Sequence, residues 1–207
     1  MTPKEIADLL RAELAEHMEA INKIMDMVEA MDKPPVAPDM PAVPYRSQWD
    51  ADAAYIRSDC GPATVAMLLD FRGKHVAIDD ISKACGLGPS KSYSTAVNLT
   101  VAAEKFGLAL TPVSGWALEQ FAARCPCIVL IHYGTITDRL DQKFDDGHWV
   151  VLLGVHDNQA IYHDPDWWPP RRNEGAARRI DTVHFAFAMH ECARDGNPLG
   201  MGLVMAH

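Results

Sequence analysis

The chain has 207 residues, 48% of them hydrophobic and 23% charged, with 28 acidic against 19 basic side chains and a formal net charge of -9. That length buries one substantial core with an appendage to spare, but an acidic chain without a basic cluster is unsuited to neutralising phosphates, which excludes nucleic acid as a partner. No apolar run reaches the roughly 20 residues that span a bilayer, and five sparse cysteines suit free thiols in a reducing compartment better than a disulfide framework.

The first predicted element is a helix over residues 1–33. Thr2 caps it, Pro3 suits its first position, and Glu5 completes a Thr-x-x-Glu capping box. Ala7, Leu10, Leu14, His17, Ile21, Ile24, Val28 and Met31 follow at alternating steps of three and four. That seam lasts about three heptads. A coiled coil that builds a homo-oligomer and an amphipathic helix packed on its own domain both satisfy it. The segment is charged throughout and lacks the apolar centre of a signal peptide, so a cytoplasmic location is expected. Pro34, Pro35, Pro38, Pro41 and Pro44 then make residues 34–44 a stiff, extended linker.

Residues 45–207 read as the main domain. After an extended "VPYRSQW", helices are predicted from Cys60 to Phe71, over "AIDDISKACG" and over "YSTAVNLTVAAEKFG", with Gly73, Gly86 and Gly107 as their stops. "LALTPVS" looks extended and "ALEQFAARC" helical. "CIVLIHYG", "HWVVLLGVHD" and "QAIYHD" are strand candidates, the first two continuous apolar runs typical of buried strands. "RRNEGAARR", the one basic concentration, reads as a solvated loop. "DTVHFAFAMHECA" is a further helix and "GMGLVMA" a closing strand. Helices precede strands, so the fold class is α+β with an antiparallel sheet.

Cys60 stands at the predicted start of a helix, where free N–H groups and the positive dipole end stabilise a thiolate. Gly61 allows close approach, and Pro62 gives up an N–H without an intrahelical partner. A buried filler cysteine is the competing reading. A nucleophilic thiol needs a base and the base an orienter. His148 opens a strand just after "DDG", and Asp164 follows the next strand, so a hairpin brings an acid near the imidazole. Gln48, upstream of Cys60, supplies a side-chain amide for an oxyanion hole with a backbone N–H at the helix start.

"VPYRSQWD", "DCGPATVAMLLDF", "CPCIVLIHYG", "GHWVVLLGV" and "YHDPDWW" occur in that order between residue 43 and about residue 170. Together they resemble the papain-like, bacteriocin-processing (double-glycine leader) cysteine peptidases and their stand-alone relatives. "RRIDTVHFAFAM" resembles the helix these domains carry after their Asp-Pro. The resemblance implies a papain-like fold and a thiol hydrolase acting on a peptide or amide bond, peptidoglycan stem peptides included. It implies Cys60 as nucleophile, His148 as general base and acid, Asp164 as orienter and Gln48 as oxyanion donor, without a cofactor. The spacer between Gln48 and Cys60, "WDADAAYIRSD", is longer than leader peptidases usually show. Neither a transmembrane stretch nor a GxxxxGK[ST] loop occurs, so export of the cleaved peptide is not implied.

Other groupings compete. Cys125 and Cys127, with His132, lack the usual metal-ligand spacing and a second pair, so a buried strand is the better reading and no metal is expected. His156, His163 and Asp164 offer an alternative metal face, against which the tautomer-holding role of Asp164 is preferred. Trp149 is the candidate substrate-binding residue beside His148; Cys85 and Cys192 read as structural. A different class of function also fits: a papain-like domain kept for binding or assembly, tethered by its N-terminal helix. That helix also suits an inhibitory pro-segment.

Overall fold

Helix α1, Cys60–Phe71, lies at the centre of the molecule because its sequence is apolar nearly all round: every residue from Gly61 to Leu69 is buried. A helix without a polar face belongs inside a core. The computed structural model to which it belongs describes residues 40–55, 58–88, 93–136 and 146–206. The expected N-terminal helix, its heptad seam and most of the proline linker lie outside the described residues.

Helices α2 (Ile78–Ala84) and α3 (Ala96–Lys105) pack on α1. Thr95 begins α3 through a reciprocal cap, its Oγ1 accepting from the Asn98 N–H while Asn98 Oδ1 accepts from the Thr95 N–H. Such a cap satisfies two backbone donors that the helix leaves unpaired.

The remaining chain builds one six-stranded antiparallel sheet: β1 (Leu110–Val113), β2 (Cys127–His132), β3 (Gly147–His156), β4 (Gln159–His163), β5 (Arg178–Asp181) and β6 (Gly202–Met205), in the order β1-β6-β2-β3-β4-β5. Helices α4 (Leu118–Ala122), α5 (Tyr133–Ile136) and α6 (Thr182–Glu191) complete it. The sheet is covered on both sides. Ile128, Leu130, Trp149, Val151 and Ile161 pack toward the α1–α3 layer. Val129, Ile131, Val150, Leu152 and Tyr162 pack toward Phe185, Ala188 and Met189 of α6. Alternate residues therefore serve opposite cores, which is why β2 and β3 are apolar without interruption. β3 and β4 form the expected hairpin through Asp157 and Asn158, whose φ values of 50° and 59° match a two-residue turn with both central residues left-handed.

This is the α+β, papain-like fold anticipated from the sequence, with two local corrections. The strand expected to run through Gly134 stops at His132, and Tyr133–Ile136 turns into α5. The basic stretch expected to be a solvated loop supplies a short 3-10 turn at Arg172–Gly175, and the chain then enters edge strand β5. Charged residues on three of its four positions hid that strand, as they do on many sheet edges. The "VPYRSQW" stretch, expected to be extended, joins no sheet, and its Gln48 N–H donates to Pro165 O at 2.9 Å in the loop after β4. Among the described residues no helix is long and apolar enough to cross a membrane.

Candidate active site

Cys60 is the first residue of α1. The preceding residue, Asp59, occupies the cap position but makes no side-chain cap. Its buried carboxylate turns away and accepts from Ser82 Oγ at 2.6 Å and from the Tyr55 N–H at 2.8 Å. Burial pushes the Asp59 carboxyl up. The helix start beside Cys60 is thus left with its dipole uncancelled by a capping oxygen. Gly61 was expected to allow close approach of backbone or substrate. What approaches is α3 and the residue before it: a Cβ there would run into Ser94 Oγ and lie 2.9 Å from Leu99 Cδ2, so the missing side chain lets α3 pack against α1.

His148 is the second residue of β3, opposite Ile131, and 2% exposed. Its Nε2 lies 2.8 Å from Asp164 Oδ1, and Cys60 lines the same cleft as the imidazole. The Tyr133 ring packs on it tilted by 43°, with 4.3 Å between centroids, so α5, which the sequence reading missed, covers the imidazole. Burial disfavours the imidazolium, but hydrogen bonds and charge from Asp164 and Cys60 outweigh it, and the His148 pKa is raised to about 10.

Asp164 follows β4 directly and is 2% exposed. Burial alone would raise its pKa, yet the bond to His148 leads the effects that hold it below the ordinary carboxylate value. Oδ1 also accepts from the Asp166 N–H at 3.0 Å, and Oδ2 from Trp167 Nε1 at 3.0 Å. Its backbone is tied as firmly, donating to Gly175 O at 2.8 Å and accepting from Tyr45 Oη at 2.8 Å.

These side chains open on a cleft of about 760 Å³, lined among others by Gln48, Trp49, Cys60, Tyr93, His148 and Trp149. Gln48 reaches it from the loop before α1, its Nε2 donating to Asp166 Oδ1 at 3.0 Å. Trp149 is 4% exposed and anchored through Nε1 to Ser94 O at 3.1 Å, so it is a wall of both cleft and core. The structure therefore brings His148 and Asp164 into hydrogen-bond contact and puts Cys60, Gln48 and Trp149 in the same cleft as the imidazole. The residues that sequence reasoning passed over are Asp166 and Tyr133. A second acid two positions after Asp164 in "HDPDWW" was the signal available for Asp166.

Residues 40–180 match the Peptidase_C39 like family. The chain belongs to that family. C39-like folds recur among solved structures, and the three that follow are each less than 25% identical to this chain. A double glycine motif protease from an AMS/PCAT transporter, solved with its leader peptide, has a TM-score of 0.53 and 24% identity over 83% of this chain and 96% of that one. A Bacillus anthracis protein assigned as a C39-like peptidase gives 0.56 and 13%, over 81% and 96%. The peptidase domain of Streptococcus ComA, a bi-functional ABC transporter of a quorum sensing pathway, gives 0.50 and 20%, over 72% and 90%. No curated protein matches the chain.

The other polar groupings of this C39-like domain do different work. The alternative metal face does not assemble. His163 uses Nε2 on Val43 O and Nδ1 on the Ala177 N–H, His156 pairs with Asp157 at the hairpin turn, and Asp164 faces His148. Cys127 is fully buried in β2, where its sulfur and that of Cys125 both lean on Phe121 O. Cys85 and Cys192 are buried in the core.

Proposed function

We propose that the protein is a cysteine peptidase that cleaves a peptide bond through Cys60, His148, Asp164 and Gln48. The observation that carries this reading is the buried His148–Asp164 pair lying in the same cleft of about 760 Å³ as Cys60 and Gln48. The raised His148 pKa favours the imidazolium at neutral pH, a proton held ready for the leaving amine. The thiolate attacks the scissile carbonyl carbon, and the carbonyl electron pair moves to oxygen. Gln48 Nε2 and the Cys60 N–H stabilise that oxyanion. As the intermediate collapses, the C–N bond breaks and the imidazolium protonates the departing amine. Water then attacks the thioester, His148 takes its proton, and the thiolate leaves. Asp164 keeps Nε2 engaged so that Nδ1 faces the sulfur throughout. The leader peptide bound to the AMS/PCAT protease supports a peptide as substrate class here.

Iodoacetamide at near-neutral pH tests the nucleophile. Cys60→Ala should lose fast labelling and all peptide cleavage while keeping its fold by circular dichroism. Equally fast labelling in that variant would place the reactive thiol elsewhere and sink the proposal.

A further inference from the structure

Asp166 is a second buried carboxylate at the site, 5% exposed, with no step of its own in the cleavage sequence. Its Oδ1 accepts from Gln48 Nε2 at 3.0 Å and from Trp49 Nε1 at 2.8 Å, while its backbone N–H donates to Asp164 Oδ1 at 3.0 Å. Between the two acids, Pro165 O accepts from the Gln48 N–H at 2.9 Å and from Ser47 Oγ at 3.1 Å. One turn, Asp164-Pro165-Asp166, thus grips both the imidazole of His148 and the strand of loop that carries Gln48. A glutamine amide is nearly symmetric in shape and can present oxygen or nitrogen to a cleft. A carboxylate beside it breaks that symmetry, because it accepts only from the nitrogen end.

We propose that Asp166 is the positioning residue of the oxyanion site, holding Gln48 with its amide nitrogen on the cleft side and fixing Trp49 as the adjoining wall. One N–H of that nitrogen engages Asp166 and the other serves the oxyanion. The long spacer between Gln48 and Cys60 is then immaterial, because Gln48 is placed from the far side of the sequence, 118 residues away. The inference rests on the reading of Cys60 as nucleophile.

Two reactions of the same sulfur separate the possibilities. Acylation by the p-nitrophenyl ester of N-acetylglycine passes through an oxyanion; alkylation by iodoacetamide does not. Asp166→Ala should slow acylation about tenfold or more, part of what losing an oxyanion donor costs, and leave the pH profile of alkylation unchanged. Asp166→Asn keeps shape but weakens the charge-assisted bond, so a loss of about threefold in acylation alone is expected even if the alanine variant fails to fold. Adding Asp166→Ala to Gln48→Ala should cost nothing more. Equal losses in both reactions, no loss in acylation, or multiplicative losses in the double variant would overturn the inference while leaving the peptidase reading intact. A wild-type protein with no Cys60-dependent acylation would overturn both.

Discussion

His148 Nε2 and Asp164 Oδ1 meet at 2.8 Å with each side chain only 3% exposed, and this bond joins the start of one strand to the residue just past the end of its neighbour. Two opposite charges so deeply buried are stable only together, since each is expensive to desolvate alone. The surroundings agree: Trp167 Nε1 and the Asp166 N–H fill further lone pairs of the carboxylate.

Removing the acid should therefore cost more than a surface ion pair would. Asp164→Ala strands the His148 imidazolium and two buried donors, and a loss of about 3–5 kcal/mol is expected. Asp164→Asn keeps an acceptor for at least one of them and should lose less stability, yet it still slows alkylation of Cys60. Urea denaturation measures both. A loss below about 1 kcal/mol in the alanine variant would mean that His148 is not held as a cation by this pair.

Stability should also peak between weakly acid and neutral pH. The His148 pKa is raised from 6.5 to about 10, so the folded state binds that proton more tightly than the unfolded chain does. Its contribution is complete below the unfolded value and is lost as pH rises toward 10. Asp164 is shifted the other way, below its ordinary 3.8, so its contribution stands above that value and fades as pH falls through the lowered one. Thermal midpoints against pH, for the wild type and for His148→Gln, provide the check. An alkaline decline of the same size in both proteins would assign it to other groups.

Gly175 offers a test remote from the cleft. A Cβ at this position would collide with Asp164 O and Tyr45 Oη, and would lie 2.8 Å from Trp167 Cδ1. The backbone oxygen cannot rotate away, so Gly175→Ala has to displace the residue that holds His148. A stability loss of about 1–3 kcal/mol is expected from such overpacking, together with slower alkylation of Cys60, although Gly175 does not line the cleft. An unchanged alkylation rate would show that the Asp164 turn absorbs the methyl without moving.

Local patterns made much of the scaffold legible. The Gly-Pro pair after Cys60 and the apolar run behind it announced α1, and the uninterrupted apolar stretches announced β2 and β3 as doubly covered strands. These signals come from neighbours in sequence and survive any packing arrangement. β5 and α5 are each four residues long, and unlike the equally short β1 and β6 they lack a distinguishing pattern. An edge strand of mostly charged residues has too little periodicity to register, and Tyr133–Ile136 looked like more of the strand before it.

By itself, the sequence determined the class of the domain and the address of a helix-start thiol, a strand-start imidazole and an acid after the following strand. Tertiary structure alone decided that these converge with Gln48 and Asp166. The bonds from Gln48 and Trp49 to Asp166 span 118 and 117 residues, and that from Tyr45 to Asp164 spans 119. No local propensity encodes such a pairing. It exists because both faces of the sheet are buried, which presses the loop before α1 against the turn after β4 and brings their polar groups within hydrogen-bond reach of one another.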